Sequence, residues 1–438
     1  YELHGDYLMG GYIGAKTGTL VASASDIRGD ISATDTTPEI TLKNTTETDA
    51  DGGRSSKITF KGEQSGGEES TLAQIQASHD AAADDEKGDL IFKTNDGNDG
   101  ASPTERLRID SAGSIIPAAL GSDNVHLGEE ALVSVAAGAG QNTGIGANAG
   151  KSITTGDYNT LLGYNAGDAI TTGSSNVAVG YNALSAEDGD GSNIAIGANS
   201  LGNQNAGATA YNVAVGHDAG TSVTVGIKNV LLGGLAGDAL TDADSNVAVG
   251  YQALSFDQQG SNSVAIGNQA LTTQRFTSGT NAYNTAVGAQ AGQEITTGTQ
   301  NTIVGGLAGD AVTDGNGNTI MGYAAGGAAT TTDHSTLIGY EAGGSAAMTG
   351  HDNTYIGMRA GKNTTAGEKN VAIGREALEN DDVGSGCVAV GNHSLELQNA
   401  AGSTANGYYN TAVGYGASME STTGYYNTCV GAFSGDDL

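Results

Sequence analysis

The chain has no tryptophan, three prolines and two cysteines in 438 residues. Proline scarcity beside 71 glycines excludes collagen, which needs glycine at every third position together with proline. Cations are also scarce: 17 Lys and Arg stand against 49 Asp and Glu, a formal net charge of −32. A phosphate backbone must be met by Lys and Arg, so a nucleic-acid partner is not expected. No stretch approaches the roughly 20 apolar residues of a membrane helix, so no membrane span is expected. No signal peptide is visible, and the chain begins at Tyr1 rather than Met, which a processed or partial N-terminus would explain. The seven histidines show no metal-ligand spacing, and no Gly-x-Ser-x-Gly elbow occurs. Residues Gly146–Ser152 come one residue short of a phosphate loop. The expectation is a non-enzymatic protein with no cofactor, no metal and no catalytic residue.

What the chain has is a repeat. Anchors fall at Asn124, Asn142, Asn159, Asn176, Asn193, Asn212, Asn229, Asn246, Ser263, Asn284, Asn301, Asn318, Ser335, Asn353, Asn370, Cys387, Asn410 and Asn427. Twelve of the seventeen spacings are 17 residues and five are longer. Counting from the anchor, position +1 is always Val, Ile or Thr and +3 is always Val, Ile, Leu or Met. Position +4 is always Gly, and +7 is always Ala or Ser. Two apolar positions flanking one residue have the period of a strand with one face buried. The expectation is that +1 and +3, such as Val177 and Val179, point into the core. Gly at +4 suits a corner with positive φ or a close backbone approach. Small residues at +7, with Ala frequent at +2, suggest a crowded site where a neighbouring coil or subunit comes near. Seventeen residues cannot form a core alone, so the units must stack. Eighteen coils at ~4.8 Å would span roughly 86 Å, with the anchors forming a ladder of side-chain hydrogen bonds. In such a stack Cys387 and Cys429 lie about 9–10 Å apart along the array, beyond the ~7 Å Cα limit of a disulfide.

The repeat at Ser261–Asn268 resembles the head-domain motif of trimeric autotransporter adhesins, and residues 124–435 follow it unit by unit. The resemblance implies a parallel left-handed β-roll with three chains around one axis. That family's coil is shorter than seventeen residues, so its turns and ligands do not carry over. Ahead of the roll, Ile40–Leu42, Ile58–Phe60, Leu90–Phe92 and Leu107–Ile109 read as short strands between Gly/Asp/Asn/Ser clusters. Residues Gly88–Asn95 and Glu105–Gly113 are similar to a module of phage tail fibres. The expected organisation is a connecting segment at 1–37, a small β-sandwich-like domain at 38–120 and an all-β solenoid of about eighteen coils at 121–438.

The longest insertions follow the fifth, ninth and sixteenth coils. Extra residues cannot enter a stacked strand without loss of register, so they must bulge at a turn. Each insertion has a Gln three residues after its Leu (Gln204, Gln274, Gln398) and ends in Tyr. Tyr211, Arg275, Phe276, Tyr283, Tyr408 and Tyr409 are the candidate receptor-binding residues, with Arg275 and Phe276 read as an exposed pair. Other tyrosines precede anchors or follow the +4 Gly, where they suit either a binding surface or a stacked ladder. Asp/Asn-rich turns could hold Ca²⁺, but ordinary turn chemistry explains them equally. Arg28–Asp30 is an integrin-like tripeptide, and the Thr pairs resemble ice-binding faces only in part. Together these features suggest a homotrimeric structural and adhesive fibre protein. The setting would be a virion, as a tail fibre meeting a host cell-surface glycan or receptor and other tail proteins. The alternative is a secreted bacterial adhesin or extracellular filament subunit.

Overall fold

The computed structural model describes residues 55–63, 69–79, 88–95, 103–111, 115–117, 124–136, 139–189, 191–344, 347–399 and 408–436. The segment 1–37, the Ile40–Leu42 strand, Arg28–Asp30 and residues 400–407 of the third insertion lie outside them. The chain divides into two compact units, Tyr1–Ser114 and Ile115–Leu438.

In the first unit, β1 (Ser56–Glu63), β2 (Glu69–His79), β3 (Gly88–Thr94) and β4 (Thr104–Ile109) pair antiparallel in chain order. The register brings Ile58, Ile75, Phe92 and Leu107 into line across the sheet. Ile58, Phe60 and Leu90 remain exposed on that face. On the other face Asp89 is buried and ion-paired to Arg108. Strands at Ile58–Phe60, Leu90–Phe92 and Leu107–Ile109 match the sequence reading; the longest strand, β2, was not expected. Its alternation is masked because the buried positions are polar, Gln76 and Ser78. A second sheet packed on this one is not among the described residues.

In the second unit, β5 (Ile115–Pro117) precedes a parallel β-solenoid of about seventeen turns. Eighteen three-residue strands, from Val125–Leu127 to Thr428–Val430, each pair in register with the strand of the next coil. The described residues contain no helix, and none long and apolar enough to cross a membrane.

The strand faces are the reverse of the expectation. The middle residue, +2, is buried in every coil but the first, while no +1 or +3 residue is buried. Val177 and Val179 therefore lie on the outer surface and Ala178 points inward. The +7 residue also lies inside the coil, so its small size serves the chain's own core and not a subunit contact; Ala183 and Ala253 are fully buried.

The interior explains these choices by volume. Where +2 is large, +8 is Gly: Leu161 with Gly167, Leu231 with Gly237, Tyr355 with Gly361. A Cβ on Gly361 would sit 2.4 Å from the Tyr355 ring. Where +2 is Ala and +8 is Leu, as in Ala178/Leu184 and Ala248/Leu254, the leucine fills the same space. Position +11 shares the space, since Ile170 and Leu240 lie against Gly167 and Gly237, so a coil with Gly at +8 carries its bulk at +2, at +11 or at both. Tyr355, fully buried, satisfies its hydroxyl by donating to Thr364 Oγ1 at 3.1 Å.

The anchors form the expected ladder, with a backbone component. Each Asn Oδ1 accepts the amide N–H of the next anchor, as from Asn229 to Asn212 at 2.8 Å. In most coils its Nδ2 donates to a carbonyl fourteen residues on, as from Asn229 to Ala243 at 2.8 Å, whereas Asn193 Nδ2 turns to Glu187. These bonds satisfy turn groups that no strand partner reaches. At the +4 corner the glycines have φ between +125° and +146°, and a Cβ on Gly250 would lie 2.4 Å from Gly267 O. Both reasons given for glycine there hold.

Candidate functional site: the outward face of the strand ladder

The surface feature that runs the length of the solenoid is the outward side of its strands. Position +3 is apolar in all eighteen coils and +1 is Val, Ile or Thr. Leu162, Ile196, Val215, Ile266, Met321, Ile373 and Val413 remain between 36% and 45% exposed. Apolar patches of this extent are unusual on a soluble monomer and mark interaction surfaces.

Exposed tyrosines border this face. Tyr164, Tyr181, Tyr251, Tyr323, Tyr340 and Tyr415 follow the corner glycine, while Tyr158, Tyr211, Tyr283, Tyr409 and Tyr426 precede anchors. Neighbours stack along the coil direction: Tyr164 on Tyr181 at 5.7 Å, Tyr323 on Tyr340 at 5.8 Å and Tyr409 on Tyr426 at 5.6 Å. Those pairs are ladders. Tyr211 and Tyr283, each closing an insertion at positive φ, are exposed.

The first two insertions bulge at one turn, and the ladder keeps register across all three: Ile194 with Val213, Val264 with Thr285, Val388 with Thr411. Their shared Gln has a structural cause that the sequence did not reveal. Gln204, Gln274 and Gln398 are buried at +11, one coil after the buried acids Glu187, Asp257 and Asp381. Gln274 donates to Asp257 Oδ2 at 2.5 Å and Gln398 to Asp381 Oδ2 at 2.6 Å. Each Gln accepts from the following anchor: Asn212 at 2.6 Å, Asn284 at 2.9 Å, Asn410 at 2.8 Å. Asp257 also accepts the amides of Gly260 and Phe276. A buried carboxylate surrounded by N–H donors needs no cation.

The expected exposed pair Arg275–Phe276 is therefore corrected. Arg275 is exposed, but Phe276 is buried, its amide fixed on Asp257 and its ring against Gly260. Tyr408 is likewise buried, so of the six candidates Tyr211, Arg275, Tyr283 and Tyr409 present side chains to solvent. The Asp/Asn-rich turns have internal work. Asp157, Asp244, Asn316 and Asp333 each accept an amide N–H from the preceding coil. Thr154, Thr224, Thr296 and Thr313 hydroxyls donate to carbonyls of the following coil. Cys387 and Cys429 are buried free thiols, and burial pushes the Cys387 thiol up.

One group among the described residues brings three possible metal ligands together: Glu376, His393 and Glu396, with one ligand atom from each within 4.8 Å of the others. No protein-family model, no curated protein and no solved structure matches this chain.

Proposed function

We propose that the chain is a non-enzymatic structural and adhesive fibre protein, a homotrimer whose left-handed rolls pack through their outward strand faces. The observation that carries this reading is the uninterrupted apolar +3 column. Seventeen steps of ~4.8 Å by a three-residue strand of ~10 Å make a face of about 800 Å², comparable to one partner's share of a standard interface. A partner must offer apolar rungs at the same spacing, and a parallel copy of the same ladder does so. The threefold count comes from the resemblance to trimeric adhesin heads. The setting we favour is a phage tail fibre that meets a host cell-surface glycan or receptor through Tyr211, Arg275, Tyr283 and Tyr409.

The test is sedimentation of the full chain beside the Val215→Asp, Val249→Asp double variant. The native chain should sediment at three chain masses. In a free coil these carboxylates would stay in water and cost within about 0.5 kcal/mol each. In an assembled core each would cost several kcal/mol unpaired, so the variant should fall to monomers. A monomeric native chain, or a variant that assembles and melts like the native, overturns the trimer. Alanine at the four contact residues should leave the sedimenting mass unchanged and abolish cell-surface binding; retained binding overturns that part of the proposal.

A further inference from the structure

Two successive coils carry the same short step at the same positions: Glu376-Ala-Leu-Glu379 after anchor Asn370, and His393-Ser-Leu-Glu396 after anchor Cys387. Stacking places Glu376 and His393 in the +6 column on adjacent rungs, both at a left-handed corner with φ of 57° and 59°. His393 Nδ1 lies 3.2 Å from Glu376 Oε2 and 2.7 Å from Glu396 Oε2. Glu376 is buried, and the side chains of His393 and Glu396 each keep 22% exposure. The three donors thus converge from inside the surface while one side stays open to water.

We propose that Glu376, His393 and Glu396 form a zinc site that staples these two coils. Zinc bonds to imidazole nitrogen and carboxylate oxygen run about 2.0–2.2 Å in tetrahedral geometry, which sets donors roughly 3.3–3.6 Å apart. The Glu376–His393 separation is already close to that, and Glu396 must open by less than about 1 Å. The remaining corner faces solvent and takes water. The second shell is in place. Arg375 Nη2 lies 3.0 Å and Arg359 Nη1 3.7 Å from the far oxygen, Glu376 Oε1, so Oε2 is the one aimed at the cation. Tyr415 packs edge-on against the imidazole at 5.9 Å. Lys362 is turned to Glu341 at 2.9 Å. Three carboxylates, Glu376, Glu379 and Glu396, gather here, with Arg359 and Arg375 both on Glu376. On binding, zinc takes the Nδ1 lone pair, and any proton held there leaves to solvent.

The test uses the full chain stripped with a chelator, then titrated with zinc by calorimetry and with cobalt(II) by absorption. One equivalent per chain should bind, with the visible spectrum of a tetrahedral cobalt site. His393→Gln should retain the fold, because Gln252, Gln269 and Gln290 occupy the same column at φ of 55° to 58°. That variant and Glu396→Gln should each lose at least tenfold in affinity, along with the cobalt spectrum. No stoichiometric uptake by the native chain overturns the site. So does unchanged affinity in either variant, which would place the metal on another histidine. Circular dichroism of each variant separates loss of ligand from loss of fold, and the count per chain does not depend on the trimer.

Discussion

Replacing Gly250 with alanine tests the corner geometry on which the stack depends. Two costs act at that position. First, φ is +135°, a region that residues with a Cβ occupy at about 1–3 kcal/mol. Second, the new Cβ would stand 2.4 Å from Gly267 O and 2.6 Å from Gly267 C. These are backbone atoms of the next coil and cannot rotate away as a side chain would. Gly267 is itself held by its amide, which donates to Val249 O at 2.7 Å. Overpacking of that kind adds about 1–3 kcal/mol, for a total of about 2–6 kcal/mol. The control is Gly279→Ala, where a Cβ meets nothing within 4 Å and φ is not positive. That change should stay within about 0.5 kcal/mol of native. Urea melts followed by circular dichroism measure both, and hydrogen exchange should locate the loss of protection in the coils anchored at Asn246 and Ser263. If Gly250→Ala melts with the native chain while Gly279→Ala does the same, the corner does not constrain the stack and the reasoning fails.

Two further outcomes follow from the interior. Leu231→Ala should cost about 2–5 kcal/mol as a cavity, and Gly237→Leu should be destabilising because its Cβ meets Leu231 Cδ2 at 2.8 Å. The double variant removes the clash with Leu231 but keeps the one with Leu240, also 2.8 Å away, so it should be less harmful than the sum by at least about 1 kcal/mol without regaining native stability; additive melts would refute the shared volume. Asp168 and Asp310 are held above the ordinary aspartate value of 3.8, chiefly by desolvation, and each has a buried oxygen without a hydrogen-bond partner. A folded-state value above the unfolded one means the folded chain holds the proton more tightly. Each group therefore destabilises the fold once pH rises above the unfolded value, and the penalty disappears as pH falls below it. Asp168→Asn with Asp310→Asn should raise the melting temperature at pH 7, the gain shrinking as pH is lowered toward 4. A gain that grows on acidification would refute it.

Much of the fold is legible in the residues. The 17-residue period, the corner glycine, the anchor ladder and insertions confined to a turn all follow from repetition and sterics, and the structure has each of them. The face assignment is not legible from one coil. In Val177–Val179 the alternation says that two residues share a side, but a three-residue strand does not say which side is inside. Size alone misleads, because the β-branched pair looks like core and the alanine like surface. The exposed Arg275–Phe276 pair failed for a related reason: a buried acid of the preceding coil, Asp257, draws part of the loop inward. The sequence signal for that was the Gln that all three insertions carry at the same place, Gln204, Gln274 and Gln398, which marks a buried amide.

The signal that does distinguish the faces lies in comparing coils. Position +2 varies from Gly144 through Ala178 to Tyr355, and the +8 residue answers to the side chains around it inside the roll: Gly237 lies against Leu231 and Leu240, Gly361 against Tyr355, and Gly150 against Leu132, Ile153 and Leu161. Position +3 varies only among Val, Ile, Leu and Met, and tracks no other position of its own coil. A core residue must answer to its neighbours inside the chain. A residue held to one size and polarity across eighteen coils, without such a neighbour, is under a constraint that the coil does not contain. The same contrast separates the two kinds of tyrosine: Tyr355 requires Gly361 beneath it, whereas Tyr164 and Tyr181 need only each other. In the assembly we propose, the outward column, and not the coil interior, is the surface that a partner chain would read.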